Sequence, residues 1–209
     1  FRVPYIGLLL WVLLALMNPH QLAYGFAQTI PWNLLVVIVT VIAWAVSSER
    51  KALPAGPTTI LVFLLLAWST FNSFFAFNPS FSWPYWDRAW KTISMAIFAS
   101  IMTTSKVRFQ ALMWVVALSL GYYGAKGGLF TLITGGHSHV FGPPNTMISD
   151  NNTLADALVM LLPILNYLRI HSESQLVRNG TIGVIVLLVA SILGSYSREA
   201  YIAFAVISV

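Results

Sequence analysis

The 209-residue chain contains no cysteine, and charged residues make up only 8% of it, six of them Asp or Glu. The first absence excludes disulfides, thiolate catalysis and cysteine-bound metals, and it removes any redox clue to compartment. The second excludes an ordinary soluble domain, where about a quarter of residues are charged. The formal charge of +5 carries no nucleic-acid signal, because Lys and Arg stand singly or in pairs between apolar runs instead of forming a stripe. Internal repeats and low-complexity tracts are also missing. The first apolar run passes into Asn18-Pro19-His20 without a small-residue cleavage pattern, so no signal peptide is read. The chain lacks an initiator Met and stops inside the apolar run that begins at Ala200. Residues 1–209 therefore read as the N-terminal part of a single membrane domain, cut at both ends.

What is abundant is hydrocarbon. Hydrophobic residues make up 58% of the chain and mean hydropathy is +0.78. Eight Trp and eight Tyr, many near the ends of apolar runs, suit the aromatic belts of a bilayer. Leu, Val and Ile come in runs instead of alternating with polar residues, which predicts an all-α, polytopic transmembrane helical bundle and not a barrel. A hydrocarbon core of about 30 Å needs roughly 20 helical residues. The expected spans are 3–17, 29–47, 58–77, 90–104, 109–133, 153–168 and 180–196, with an eighth starting at Ala200. That makes seven to eight, of which the first and fourth are short enough to be re-entrant or interfacial instead.

Excess Lys and Arg mark the cytoplasmic side. Arg2, Glu49-Arg50-Lys51, Lys106 with Arg108, and Arg169 with Arg178 then lie inside. Segments 18–28, 78–89, 135–152 and 195–199 face outward. The second of these is rich in aromatics and proline, as befits a headgroup-zone loop. The third is punctuated by Gly and Pro and ends in Asp150-Asn151-Asn152-Thr153, whose side chains suit a helix N-cap.

This threading gathers four cations, Arg88, Lys91, Lys126 and Arg198, at the outer side. A cation near hydrocarbon costs roughly 2.5–3.5 kcal/mol at a helix centre, so it usually faces a cavity, a partner or an anion. Arg88 and Lys91 are three apart and share a helix face, although both also suit simple snorkelling to headgroups. Lys126 lies about 26 Å along its helix from Phe109, among Gly121, Gly124, Gly127 and Gly128, which permit close helix approach or a break around a ligand. Gly124-Ala125-Lys126-Gly127-Gly128 lacks the spacing of a Walker loop. Arg198 closes the seventh span, and its guanidinium can hold a phosphate through two hydrogen bonds; Glu199 beside it offers a local ion pair instead. Asp156, near the outer end of the sixth span, is expected to pair with or orient one of the cations. His137 and His139 alternate in a loop. His-x-His can begin a zinc site, but no third ligand has suitable spacing, so no metal is assigned. Either imidazole could act as a general base, and an unreactive loop histidine is the plainer reading.

At these residues the chain resembles a known family. Pro4-Tyr5-Ile6-Gly7-Leu8-Leu9-Leu10-Trp11, Met17-Asn18-Pro19-His20, Leu120-Gly121-Tyr122-Tyr123-Gly124-Ala125-Lys126-Gly127-Gly128, Gly142-Pro143-Pro144, Asp150-Asn151-Asn152 and Gly194-Ser195-Tyr196-Ser197-Arg198 resemble, in this order, the N-terminal half of the O-antigen ligase superfamily. They look closest to its O-glycosylation ligases associated with the exosortase A system. The resemblance implies a multi-pass protein of the bacterial inner membrane that transfers a preassembled glycan from undecaprenyl diphosphate to an acceptor hydroxyl, on lipid or protein, at the periplasmic side. It implies that Arg198 holds the lipid diphosphate, with Arg88, Lys91 and Lys126 as further candidates and Asp150, Asn151, Asn152 and Asp156 as supporting polar groups. The family's catalytic histidine belongs to a large later periplasmic loop beyond residue 209, so its role does not pass to His137 or His139. With cations opposing the charge of the leaving group, no cofactor is expected. One departure opposes diphosphate binding: Glu199 stands where the family has glycine. The competing reading is a transporter or flippase for an anionic lipid or solute, which predicts charges near the midplane and paired repeats.

Overall fold

The computed structural model describes residues 4–23, 25–49, 51–54, 56–143, 146 and 148–208; Arg2, Val3, Arg50, Pro144 and Asn145, which enter the reading above, lie outside them. Among the described residues all regular structure is helical. In chain order come α1 (Pro4–Met17), the single turn α2 (Pro19–Leu22), a 3-10 turn (Gly25–Gln28), α3 (Trp32–Val46), α4 (Pro57–Phe74), α5 (Pro79–Met102), α6 (Lys106–Thr134), α7 (Asn151–Ile170), α8 (Gln175–Gly194) and α9 (Arg198–Ser208). Three of these, α4, α7 and α8, are long and apolar enough to cross a membrane, while α1 and α3 are shorter apolar helices.

Three expectations need correction. First, 78–89 is not a loop, because α5 starts eleven residues before the expected Trp90. Pro79 occupies the first helical turn, where its missing N–H costs nothing. The aromatics of this turn then pack on α4: Trp86 Nε1 donates to Thr70 Oγ1 at 2.9 Å, and Trp83 meets Phe74 edge-on at 5.1 Å. Pro84 lies inside the helix, and the helix continues past it because these contacts hold the turn. Second, Arg198 does not close the seventh span. α8 ends at Gly194, the chain turns through Tyr196 at φ 57°, and Arg198 opens α9. The Ser197 hydroxyl accepts from the Ala200 N–H at 3.3 Å, as an N-cap does. Third, Arg178 does not bracket a loop but sits in the first turn of α8.

The chain divides into two compact units, Phe1–Leu8 with Thr40–Phe109, and Leu9–Val39 with Gln110–Val209. In the first, α4 and α5 form an aromatic hairpin. Glu49, just after α3, and Arg108, in the first turn of α6, form a two-pronged ion pair at 2.7 and 3.0 Å, which brings these two termini to one end of the unit. The Tyr5 hydroxyl donates to the Arg108 carbonyl, and the guanidinium lies 5.0 Å from the Tyr5 ring centre.

In the second unit α7 is the central element. Its Leu154, Leu158, Leu161, Leu162, Leu165 and Leu168 are buried against α6, α8 and α9. α6 meets α8 along its glycines. A methyl group on Gly127 would come within 2.4 Å of Ser191 Oγ, and one on Gly128 within 2.1 Å of the Leu187 carbonyl oxygen. At Gly128 only hydrogen fits, so backbone packs on backbone there, while Gly127 lies against the Ser191 side chain.

Candidate functional site

The richest polar arrangement in the second unit lies where α6 ends, α7 begins and α8 passes into α9. α6 stops at Gly135 and Gly136, both with positive φ, and the Gly136 N–H returns to the Thr131 carbonyl at 2.9 Å. This is the closing bond of a Schellman-type terminus, for which glycine is the favoured residue. The loop that follows is laced to the α8–α9 junction. Val140 N–H donates to the Gly194 carbonyl at 3.1 Å, and Asn151 Nδ2 donates to the Ser195 carbonyl at 2.8 Å. Tyr196 Oη donates to the Gly136 carbonyl at 2.5 Å. His139 Nδ1 lies 3.3 Å from the same Ser195 carbonyl, and its ring packs 5.0 Å from that of Tyr196. A carbonyl only accepts, so Nδ1 is the donor in this contact.

Asp150 is the N-cap of α7, as the sequence predicts: its carboxylate accepts from the N–H groups of Asn152 and Thr153 at 3.0 and 3.4 Å. Asn151 joins the knot around Ser195, while Asn152 contributes its backbone N–H and is exposed. His137 is exposed in the loop. Among the described residues no three His, Cys, Asp or Glu side chains group closely enough to hold a metal ion. Asp156 is half-buried on α7, and among the described residues it pairs with none of the cations, against expectation.

The cations separate by unit. Arg88 and Lys91 lie on α5 in the first, Lys126 on α6 and Arg198 on α9 in the second. Lys91 is already engaged, with Nζ 2.5 Å from Asp87 one helical turn away. The expected free pair on this face is thus half neutralised. Asp87 also accepts from Trp90 Nε1 at 3.1 Å, so the ion pair is held on this helix face. The i, i+4 spacing of Asp87 and Lys91 was the signal that would have found it. Arg88 lies 5.5 Å from the Tyr85 ring centre.

Lys126 and Arg198 are exposed. Among the described residues neither has an ion-pair partner, and Glu199 does not engage its neighbour. The two lie toward the same end of the second unit. Gly127 packs beside Ser191, and Gly194 beside Thr131, so Lys126 sits about two turns below the junction that Arg198 follows. Arg198 opens an eleven-residue helix whose free N–H groups and dipole favour negative charge. Arg198 and Lys126 are thus the exposed cations toward this end of the second unit.

The fold defines a class: among the described residues all regular structure is helical, and three helices are able to span a bilayer. The chain belongs to the family of unknown function DUF5935, which matches residues 1–173. No curated protein and no solved structure matches it.

Proposed function

We propose that this protein is a membrane glycosyltransferase of the O-antigen ligase type, moving a preassembled glycan from undecaprenyl diphosphate to an acceptor hydroxyl. In this reading seven to eight apolar segments enter the bilayer: α1, α3, α5, α6 and α9 join the three longer spans. The protein then sits in the bacterial inner membrane with the α8–α9 junction toward the periplasm.

The observation that carries the reading is Arg198. It is exposed, free of Glu199, and set in the first turn of α9 directly after its Ser197 cap. A diphosphate leaving group gains charge as the glycosidic bond breaks. A guanidinium held against the departing diphosphate opposes that charge most strongly in the transition state. Lys126 supplies a second, swinging cation. The acceptor hydroxyl attacks the anomeric carbon, loses its proton to a base, and the lipid diphosphate departs. His139, whose ring belongs to the same junction, and His137 in the same loop are the candidate bases within this chain.

Membranes carrying Arg198→Ala are expected to lose glycan transfer, by at least a hundredfold, at unchanged protein level. Arg198→Lys should retain part of it, since an ammonium keeps the charge and loses the fork. Transfer at the parental rate in Arg198→Ala would overturn the proposal. Loss of lipid translocation without any transfer activity in the parent would favour a transporter instead.

A further inference from the structure

At the other end of α7 and α8, the short turn 171–174 leaves a cleft of about 260 Å³, lined by Arg169, Ile170, Gln175, Arg178, Asn179 and Ile182. Drug-sized sites run to roughly 300–1,000 Å³, so this one suits a headgroup and not a whole cofactor. Two guanidiniums contribute to its wall. Arg169 is half-buried: one terminal nitrogen donates to Asn166 Oδ1 at 2.8 Å, while its buried Nε has no partner. Arg178 is exposed, and among the described residues it forms no ion pair. Glu173, the acidic residue of the turn, pairs with neither arginine. Gln175 and Asn179 bond to each other at 3.2 Å and offer further N–H and C=O groups.

A buried guanidinium nitrogen without an acceptor is costly. Arg169 and the exposed Arg178 put two like charges on one cleft, and an anion between them would relieve their repulsion. Phosphate oxygens match the arginine fork and satisfy several donors at once. The remaining wall is apolar: Ile170 and Ile182 line the cleft and are largely exposed. Both flanking helices are long and apolar enough to cross a membrane, so the cleft opens where a bilayer surface meets the protein. Basic pockets between transmembrane helices commonly take anionic lipid headgroups. We infer that the Arg169–Arg178 cleft binds the phosphate of an anionic phospholipid, with an acyl chain against Ile170 and Ile182. The inference is independent of glycan transfer.

The test uses the full chain, delipidated in detergent micelles, with dioleoyl phosphatidylglycerol, dioleoyl phosphatidylcholine and inorganic phosphate as separate probes. Binding is read by native mass spectrometry. The parent should retain phosphatidylglycerol at least tenfold more tightly than phosphatidylcholine, and phosphate should compete only at far higher concentration. Arg178→Gln, at an exposed position, should weaken phosphatidylglycerol about tenfold. Arg169→Gln with Arg178→Gln should erase the preference, and Arg178→Lys should restore part of it. Unchanged preference in Arg178→Gln would overturn the site, even if the double variant fails to fold. Equal affinity for phosphate and phosphatidylglycerol would overturn the lipid assignment.

Discussion

α4 and α7 are both able to cross a membrane, yet they are used differently. α4, in the first unit, buries Ser73 and leaves Ile60, Leu61, Leu64, Leu65 and Trp68 more than half exposed. α7, in the second, buries eight residues, six of them leucines. Similar hydropathy therefore does not distinguish a helix whose apolar face stays open from one whose face is packed by protein. The difference lies in the neighbours. In lipid there is little hydrophobic gain on bringing two apolar helices together, and association depends on close packing. The second unit has the small residues for it, since Gly124, Gly127 and Gly128 set α6 directly on α8 or its leucines. α4 instead meets α5 through an aromatic seam.

The sharpest way to break this comparison is to truncate one leucine in each helix. Leu158→Ala should cost about 2–5 kcal/mol, because it opens a cavity in a closed core, whereas Leu61→Ala should stay within about 0.5 kcal/mol. Thermal unfolding in one detergent gives both values, and equal losses would remove the distinction. Next in size is the seam itself. Gly128→Ala pushes a methyl into the Leu187 carbonyl and should cost about 1–3 kcal/mol. Gly183→Ala, on α8 with nothing within 4 Å, should be neutral or stabilise by up to about 1 kcal/mol. Equal losses would mean that the cost does not come from the close approach of α6 to α8.

Smaller again is Tyr196→Phe, which removes the hydroxyl bond to Gly136 and should cost about 1 kcal/mol. Hydrogen exchange in 135–142 should rise with it, while the α4–α5 hairpin stays unchanged. The smallest effect belongs to Asp87 in the first unit. Its carboxylate is held by Lys91 and Trp90 on an exposed helix face. Being exposed, the pair adds little. Asp87→Asn should leave the melting temperature unchanged at pH 7, and a shift of several degrees there would contradict this.

The helices were legible wherever a long apolar run had clear polar ends, and α1, α4, α6 and α7 agree with expectation to within a few residues. The Asp150 cap was legible too, because an Asp followed by two Asn before an apolar run has few other uses. What misled was proline. Pro79, Ser80, Ser82 and Pro84 read as loop punctuation, and the contacts that keep 79–89 helical come from Thr70 and Phe74 on another element. The break before α9 was hidden for a related reason. Tyr196 is bulky and chiral, and nothing local predicts its left-handed φ; its hydroxyl is held by Gly136, sixty residues away in sequence. The cations were visible as residue types, but whether each was already engaged was not. Lys91 is paired; Lys126 and Arg198 are exposed and, among the described residues, without an ion-pair partner.

The glycine seam has a mechanical consequence for Lys126. The residues on either side of it along α6 are clamped, with Gly124 against Leu158 and Leu188 and Gly127 against Ser191 and Val140. The α-carbon of Lys126 thus sits between closely packed positions, and its ammonium reaches only the arc that four methylenes allow. Shortening that arm by one carbon, with ornithine, would shrink the patrolled zone by the same length without moving the hinge.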